Sequence, residues 1–271
     1  MGDFIVALPM YDWPENRAEV DAEWATIRDA LRHAGVDAPT ALTRDYAGLH
    51  ELWQRPNLLF AQACWGPLEQ GLAVRVQVIG QPDYSEFDGG AGELYSSAIV
   101  MRALPSQLWE GSDNVAVRDG GQEARGYTSA PTLSVDPPKK GEGKAAAIPI
   151  HLLRNTRLAF NSLDSMSGIL ALGRDLEAMG ESLAVFSERI ETGGHRKSIQ
   201  AVAESRADVA AIDCKSWALA KRHEPATDKL QVVGWTAQRK GLPFITAGNT
   251  PPELAKILRD VLVQTGKALA A

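Results

Sequence analysis

The sequence of 271 residues predicts an α/β fold made of two similar lobes. Short apolar runs alternate with segments of helical periodicity, which is the pattern of a parallel sheet with right-handed crossover helices. The same order of elements then occurs twice. Cys64 and Cys214 each end a strand, and 214 minus 64 gives an offset of 150 residues. At nearly the same offset, "VQVIG" at 76–80 matches "LQVVG" at 230–234. The prediction is therefore a duplicated α/β unit.

The first half reads as strands and helices in strict alternation. "FIVALPMY" at 4–11 is an apolar run, and the segment from Asn16 to Gly35 has apolar residues at helical spacing with a glycine at its end. The following elements alternate in the same way, as strand "PTALT", helix "YAGLHELWQ", strand "NLLFAQACW", helix "GPLEQGL" and strand "VRVQVIG".

The second half resumes this alternation after a segment of different amino-acid composition. From 104 to about 147, glycine, serine, proline and charged residues dominate, so we expect an irregular excursion there. The elements after it are strand "RLAF", helix "SGILALGRDLEAMG", strand "LAVFS", helix "HRKSIQAVAESR", strand "ADVAAID", helix "SWALAKRHE" and strand "KLQVVGW".

Two extended runs are expected to cross between the lobes. They are "YSSAIVMR" at 95–102 and "GLPFITAG" at 241–248. If both cross, the C-terminal helix "PPELAKILRDVLVQTGKAL" must return to pack on the first lobe. We therefore expect lobe one to comprise 1–100 and 242–271, and lobe two to comprise 101–241 with the excursion at 104–147.

Composition excludes several classes of function. A net charge of −6 and scattered basic residues argue against a nucleic-acid partner. No apolar run is long enough to span a membrane, and the apolar stretch near the N-terminus is too short for a signal sequence. Two cysteines are too few for a disulfide framework or a zinc site. We expect no metal and no cofactor.

Ligand-binding residues are expected beyond the carboxyl ends of the strands, where the two lobes would face each other across a cleft. The segment "NSLDSMSG" at 161–168 is such a place, because it lies between a strand and a helix. One hydroxyl would cap the helix, yet three are present, at Ser162, Ser165 and Ser167. The start of the next helix, "GGHRKS", offers a second set of free backbone N–H groups. Together the two helix starts indicate a site for a small anion.

These segments resemble a known family. "AFNSLDSMSG" followed by "FSERIETGGHRKSIQAVAESRADVAAID" is similar to the second lobe of the substrate-binding proteins of phosphate, phosphite and phosphonate ABC transporters. "DYAGLHELW", the Gly66-Pro67 pair and "YSSAIVMR" resemble the corresponding segments of the first lobe. The resemblance implies the type II periplasmic-binding architecture, in which two Rossmann-like lobes joined by two crossing strands close around the ligand.

The resemblance also implies a set of ligand-binding residues. The phosphonate oxygens would be held by Ser165, Ser167, the backbone of Gly168 and His195, with Ser162 alongside them. Lobe one would add the hydroxyls of Tyr46 and Tyr95, and Asp213 would meet an amino substituent if the ligand has one. The implied partners are a small phosphorus-containing anion and the membrane subunits of an ABC transporter. The implied location is the periplasm, and we expect a monomer that does not insert into the membrane.

A second interpretation stays open at this stage. The same fold serves as a binder of thiamine-precursor type or as an enzyme, in which Cys64 or Cys214 could act with His195 in a cytoplasmic relative. No Walker loop, G-x-G-x-x-G turn or H-E-x-x-H helix supports catalysis. A non-catalytic binding protein is therefore the preferred hypothesis.

Overall fold

The computed structural model describes residues 4–46, 48–103 and 147–270. Apart from Ala147, the excursion expected at 104–147 lies outside these residues. The described residues form two larger mixed sheets and one small sheet, with helices on the faces of the larger two. The α/β class predicted from the sequence is confirmed.

Twelve strands are present in the described residues. In chain order they are β1 (Ile5–Ala7), β2 (Leu58–Gln62), β3 (Val76–Gly80), β4 (Gly90–Ala91), β5 (Leu94–Tyr95), β6 (Ser97–Arg102), β7 (Arg157–Phe160), β8 (Glu188–Glu191), β9 (Val209–Asp213), β10 (Leu230–Trp235), β11 (Arg239–Lys240) and β12 (Phe244–Ala247).

Eight α-helices occur in the same residues. They are α1 (Arg17–His33), α2 (Leu49–Trp53), α3 (Trp65–Glu69), α4 (Ile150–Leu153), α5 (Ala171–Ala178), α6 (His195–Ala203), α7 (Cys214–His223) and α8 (Pro252–Gln264). Helix α5 is preceded by a wider, π-helical turn at Met166–Leu170.

The two larger sheets have corresponding strand orders. The first sheet is β1-β2-β12-β3, and the second, read from its other edge, is β8-β7-β9-β6-β10. Strand β12 from the second half of the chain lies in the first sheet, and β6 from the first half lies in the second. Each of these two strands is antiparallel to its neighbours, so both sheets are mixed and not wholly parallel as the alternation predicted.

The chain crosses between the lobes in the two expected runs because β6 and β12 each join the sheet formed by the opposite half of the chain. This exchange also bears on the expected boundary after residue 100, because β6 pairs with β9 along its length from Ser97. If each strand is assigned to the lobe whose sheet contains it, Ser97–Arg102 belongs to lobe two. We therefore propose that the first crossing lies before Ser97.

Two predicted strands differ in the structure. "PTALT" at 39–43 forms no strand and makes one backbone hydrogen bond to β1, from Thr43 N to Val6 O at 2.7 Å. "LAVFS" at 183–187 contains a short 3-10 helix, and β8 follows it at Glu188–Glu191. Strand β8 lies at an edge of its sheet and is rich in charge, which suits an edge but hides it from an apolar pattern.

The C-terminal helix packs on the first sheet, as expected. Its buried residues Leu258, Val261 and Leu262 join a core with Trp24 of α1 and Phe60 of β2. Helix α1 buries one stripe at helical spacing, and Gly35 ends it with a left-handed φ of 83°. No helix among the described residues is long and apolar enough to cross a membrane.

Candidate functional site

A cavity of about 580 Å³ lies between the two larger sheets. It begins where parallel strands end: Met10 follows β1, Cys64 follows β2, Asn161 follows β7, and Asp213 is the last residue of β9. The two lobes therefore contribute facing walls. This is the position at which ligands bind in open α/β sheets.

The junction at 161–168 forms one wall of the cavity, with Ser162, Ser165 and Ser167 among the lining residues. Ser165 is the N-cap: its Oγ accepts a hydrogen bond from the backbone N–H of Gly168 at 3.1 Å. Its carbonyl oxygen accepts from both Ile169 N and Leu170 N, which produces the wide first turn. A cap was part of the sequence prediction, and Ser165 provides it.

Ser167 contacts His195, which in turn contacts Asp213. Ser167 Oγ lies 2.9 Å from His195 Nε2, and the same nitrogen lies 3.0 Å from Asp213 Oδ2. The Ser167 carbonyl accepts a hydrogen bond from Ser97 Oγ at 2.9 Å. Three of the residues predicted from the sequence are thus brought together by β9, α6 and the junction.

Asp213 is almost completely buried but has three donors. Its Oδ1 accepts from Tyr11 OH at 3.2 Å and from Ser216 N at 2.9 Å, and His195 faces Oδ2. Burial by itself would raise the pKa of Asp213, but the charge of His195 and the hydrogen bonds from His195 and Ser216 outweigh burial and lower it. Asp213 is therefore a carboxylate at neutral pH. Burial, followed by the negative charge of Asp213, raises the pKa of Tyr11 well above its usual value.

Ser162 has a partner within the same wall. Its hydroxyl donates to Asp164 Oδ1 at 2.5 Å, and Asp164 Oδ2 lies 2.9 Å from His50 Nε2 of the opposite lobe. His50 and Asp164 were not selected from the sequence. The "NSLDSMSG" segment contains Asp164, but nothing in the sequence pairs it with a residue of α2.

The two tyrosines and the glycine predicted to contact ligand are not among the cavity-lining residues of the described chain. Tyr46 donates its hydroxyl to Asp12 Oδ2 at 2.9 Å, so it reaches the cavity only through Asp12. Tyr95 is buried in the core, with its ring stacked on that of Tyr84 at 5.2 Å between centroids. Gly168 directs its N–H at Ser165 Oγ, and an added Cβ would approach that oxygen to 2.9 Å.

The start of α6 supplies the second group of donors. Gly194 is its N-cap and has no side chain with which to cap the first N–H groups, while Gly193 has a left-handed φ of 84°. Gly193, Gly194, His195, Arg196 and Lys197 all line the cavity. The sequence motif "GGHRKS" thus lies at the cavity, as predicted from its place after a strand.

The charged residues around the cavity are mostly paired. Asp12, which the sequence analysis missed, accepts from Arg44 Nε at 2.8 Å. Arg196 bonds to Glu224 at 2.8 Å and to Glu15 of the opposite lobe at 2.9 Å. No short-range pattern joins these residues in the sequence, since Asp12 and Arg44 are separated by a helix.

The two thiols are poorly suited to nucleophilic attack. Cys64 lines the cavity, and burial raises its pKa to about 11. Burial followed by the charge of Asp213 also raises the pKa of Cys214 well above its usual value. At neutral pH both are thiols and not thiolates. Among the described residues, no group of three or more His, Cys, Asp or Glu side chains is arranged to hold a metal ion.

Comparison with known structures gives the fold. PhnD1 from Prochlorococcus marinus in complex with methylphosphonate has a TM-score of 0.61 and 16% identity, over 96% of this chain and 84% of that chain. A binding-protein component of an ABC phosphonate transporter, PA3383 from Pseudomonas aeruginosa, has a TM-score of 0.60 and 14% identity, over 96% and 74%. An ancestral arginine-binding protein bound to arginine has a TM-score of 0.54 and 14% identity, over 98% and 94%. The type II periplasmic-binding architecture implied by the resemblance is confirmed.

Sequence comparison gives the family. No curated protein matches the chain significantly. The model of the family described as "ABC transporter, phosphonate, periplasmic substrate-binding protein" matches residues 118–270, which is more than half of the chain. The chain therefore belongs to the family of phosphonate-binding periplasmic substrate-binding proteins of ABC transporters.

Proposed function

We propose that this protein captures a small phosphorus oxyanion, such as a phosphonate, phosphite or phosphate ester, in the cavity between its lobes. The observation that carries the proposal is the convergence of two helix starts on one cavity. The junction at 161–168 brings serine hydroxyls, and α6 brings backbone N–H groups together with His195. Such donors favour an anion without requiring an arginine clamp.

The hydrogen-bond roles of the serines fit this proposal. Ser165 Oγ accepts from Gly168 N, so its own O–H proton is free to be donated to an anion. Ser167 Oγ can accept from His195 Nε2 and in the same way donate its proton into the cavity. The cap and the ligand contact are therefore compatible in one residue, because a hydroxyl accepts and donates at the same time.

The arrangement of His195 supports binding without catalysis. In a hydrolytic triad the hydroxyl and the carboxylate contact opposite nitrogens of the imidazole, so that one nitrogen can take the proton from the nucleophile. Here Ser167 and Asp213 both face Nε2. A proton directed at Asp213 would leave Nε2 unable to act as a base toward Ser167. The raised pKa of Cys64 also disfavours the cysteine enzyme.

Closure of the lobes is the second part of the proposal. Contacts already cross the cavity, since Met166 N donates to Cys64 Sγ at 3.5 Å and Tyr11 donates to Asp213. We place the hinge in the segments that lead into the exchanged strands β6 and β12. The closed form would then be presented to the membrane subunits of an ABC transporter, in the periplasm.

A thermal-shift and calorimetry panel tests this function. Phosphate, phosphite, methylphosphonate and a phosphate monoester are compared with acetate, arginine and a pyrimidine. At about 100 times its dissociation constant, a true ligand should add roughly 2.7 kcal/mol to the free energy of unfolding. Stabilisation by a carboxylate, arginine or the pyrimidine, with none by any phosphorus compound, would refute the assignment.

A further inference from the structure

Every carboxylate that lines the cavity in the described residues already faces an arginine or a histidine nitrogen. The three are Asp12, Asp164 and Asp213. Asp12 Oδ2 lies 2.8 Å from Arg44 Nε, Asp164 Oδ2 lies 2.9 Å from His50 Nε2, and Asp213 Oδ2 lies 3.0 Å from His195 Nε2. Among the described residues, no carboxylate at the cavity is therefore without a nitrogen partner that a ligand would have to compete with.

The same carboxylates accept further hydrogen bonds, so that each of their oxygens has at least one partner. Asp12 Oδ2 accepts from Tyr46, and Asp164 Oδ1 accepts from Ser162. Asp213 Oδ1 accepts from Tyr11 and from the backbone N–H of Ser216. A ligand ammonium that approached Asp213 would compete with these donors at a carboxylate that is almost completely buried. The sequence-based expectation that Asp213 meets an amino substituent, if the ligand has one, thus finds no carboxylate oxygen without a partner.

The positive side chains are less completely paired. Arg196 is engaged by Glu15 and Glu224. Lys197 is exposed at the cavity and makes no ion pair within the described part of the chain. The spare charge at the cavity is therefore positive. That balance favours an anionic head group and disfavours a second, cationic group on the same ligand.

One part of the cavity wall is apolar. It is formed by side chains from the segment between β1 and α1, from α2 and α3, and from the segment before β12: Pro9, Met10, Trp13, Pro14, Leu49, Trp53, Pro67 and Leu242. An ammonium placed against these side chains would lose its hydration without gaining a carboxylate partner. An alkyl or aryl group would instead be removed from water at a gain of about 25 cal/mol per Å².

We infer that the ligand carries its charge only on the phosphorus head group and that its substituent is uncharged and apolar. The ligand class is an alkyl or aryl phosphonate, or the corresponding phosphate ester, and not an aminoalkyl phosphonate. This inference rests on the proposed function, since it specifies the substituent of the same anion.

The test uses two ligands of the same shape. n-Propylphosphonate and 2-aminoethylphosphonate differ only by a methyl group in place of an ammonium. Titration calorimetry on the wild-type protein, at one pH and one ionic strength, should give at least tenfold tighter binding of n-propylphosphonate. Equal or tighter binding of 2-aminoethylphosphonate would overturn the inference while leaving the proposed function intact. Failure of both phosphonates and of phosphate to bind would refute the proposed function, and the inference with it.

A pair of variants tests whether the ligand's substituent lies against these apolar side chains. Met10→Glu adds an uncompensated carboxylate there, and Met10→Gln is its matched control of similar length and no charge. The glutamate variant should shift the affinity ratio toward 2-aminoethylphosphonate by at least tenfold relative to the glutamine variant, which should keep the wild-type order of ligands. Equal ratios in the two variants would contradict the placement of an apolar substituent at this wall.

Discussion

A buried carboxylate such as Asp213 is stable as an anion because donors surround it. Tyr11, Ser216 and His195 supply those donors, and they come from both lobes. The arrangement fixes the orientation of the His195 ring, which in turn lies within hydrogen-bonding distance of Ser167. At the scale of the residue, we propose that Asp213 is a positioning group for the anion site.

Substitution of Asp213 tests this role. Asp213→Asn keeps the shape but removes the charge that faces His195, so the free energy of unfolding at pH 7 should fall by about 1.5–3 kcal/mol, the range for a hydrogen bond to a charged group. Urea denaturation measures this loss. A stability equal to that of the wild type at pH 7 would show that the pair contributes nothing.

The pH dependence of that difference follows from the lowered pKa of Asp213. A carboxyl whose folded-state pKa lies below its unfolded value of about 3.9 stabilises the fold above that value. The contribution is lost as pH falls below about 4 toward the folded-state pKa. The gap between wild type and Asp213→Asn should therefore narrow on acidification. A gap that widened as pH fell would contradict the sign of the shift.

At the scale of the element, the proposed binding depends on the strand-to-helix junction at 161–168, which lines the cavity. Its first turn is widened because the Ser165 carbonyl receives two N–H groups, and Ser165 Oγ satisfies a third. Ser167 in the middle of this turn then points toward His195. The junction acts both as a helix cap and as a wall of the cavity.

Two single variants separate the cap from the ligand contact. Ser165→Ala removes the acceptor of Gly168 N and should lower the free energy of unfolding by about 1 kcal/mol. Ser167→Ala removes a hydroxyl that does not cap the helix. If both hydroxyls contact the anion, each variant should lose tenfold or more in affinity by calorimetry. If Ser165→Ala loses stability but neither variant loses affinity, the junction caps the helix and its hydroxyls do not contact the ligand.

At the scale of the whole molecule, the two lobes approach each other closely at Gly66. A Cβ placed on this residue of α3 would lie 1.7 Å from the carbonyl oxygen of Asp164 in the opposite lobe. Only glycine allows this approach of helix and backbone. If the lobes move apart as we propose, this contact is lost, so it would report on the closed arrangement.

Gly66→Ala should therefore hinder closure without unfolding either lobe. We expect affinity for the phosphorus ligand to fall by at least tenfold, and small-angle X-ray scattering to show a larger radius of gyration in saturating ligand than for the wild type. Gly173→Ala in α5 is the control, because its added Cβ would meet Leu183 side-chain atoms at an ordinary 3.5 Å. Identical scattering and affinity in both variants would argue against closure.

Ion pairs also join the lobes. Arg196 with Glu15, Arg222 with Glu19 and Arg174 with Glu69 each place the acid in the first half of the chain and the base in the second. Because these side chains are partly exposed, salt screens them. Ligand affinity should fall as ionic strength rises, and Arg222→Glu should weaken binding although it lies outside the cavity lining.

The charge-swapped double variant completes that test. Glu19→Arg combined with Arg222→Glu restores an ion pair of opposite polarity and should recover part of the affinity lost in Arg222→Glu. Measurement of the dissociation constant at two salt concentrations distinguishes this coupling from a local defect. If the loss of binding free energy in the double variant equals the sum of the losses in Glu19→Arg and Arg222→Glu, the pair does not assist closure.

The sequence determined the α/β class and most helices and strands, and it predicted the duplication and the hydroxyl-rich junction that lines the cavity. These follow from short-range patterns: apolar periodicity, glycine stops, and hydroxyl-rich junctions after buried strands. These patterns miss a strand that has no apolar signal, such as β8. They also predicted a strand at "PTALT", where the structure has none.

The tertiary structure alone decided which partner each polar group has. Tyr11 and Asp213 are 202 residues apart and Asp12 and Arg44 are 32 apart, so no local pattern links them. The exchange of β6 and β12 between sheets sets these long-range contacts. It buried Tyr95 in the core and satisfied Asp213 through His195, Tyr11 and Ser216. Sequence patterns identify groups that can bind an anion, but only the packing of two distant lobes decides which of those groups remain open to it.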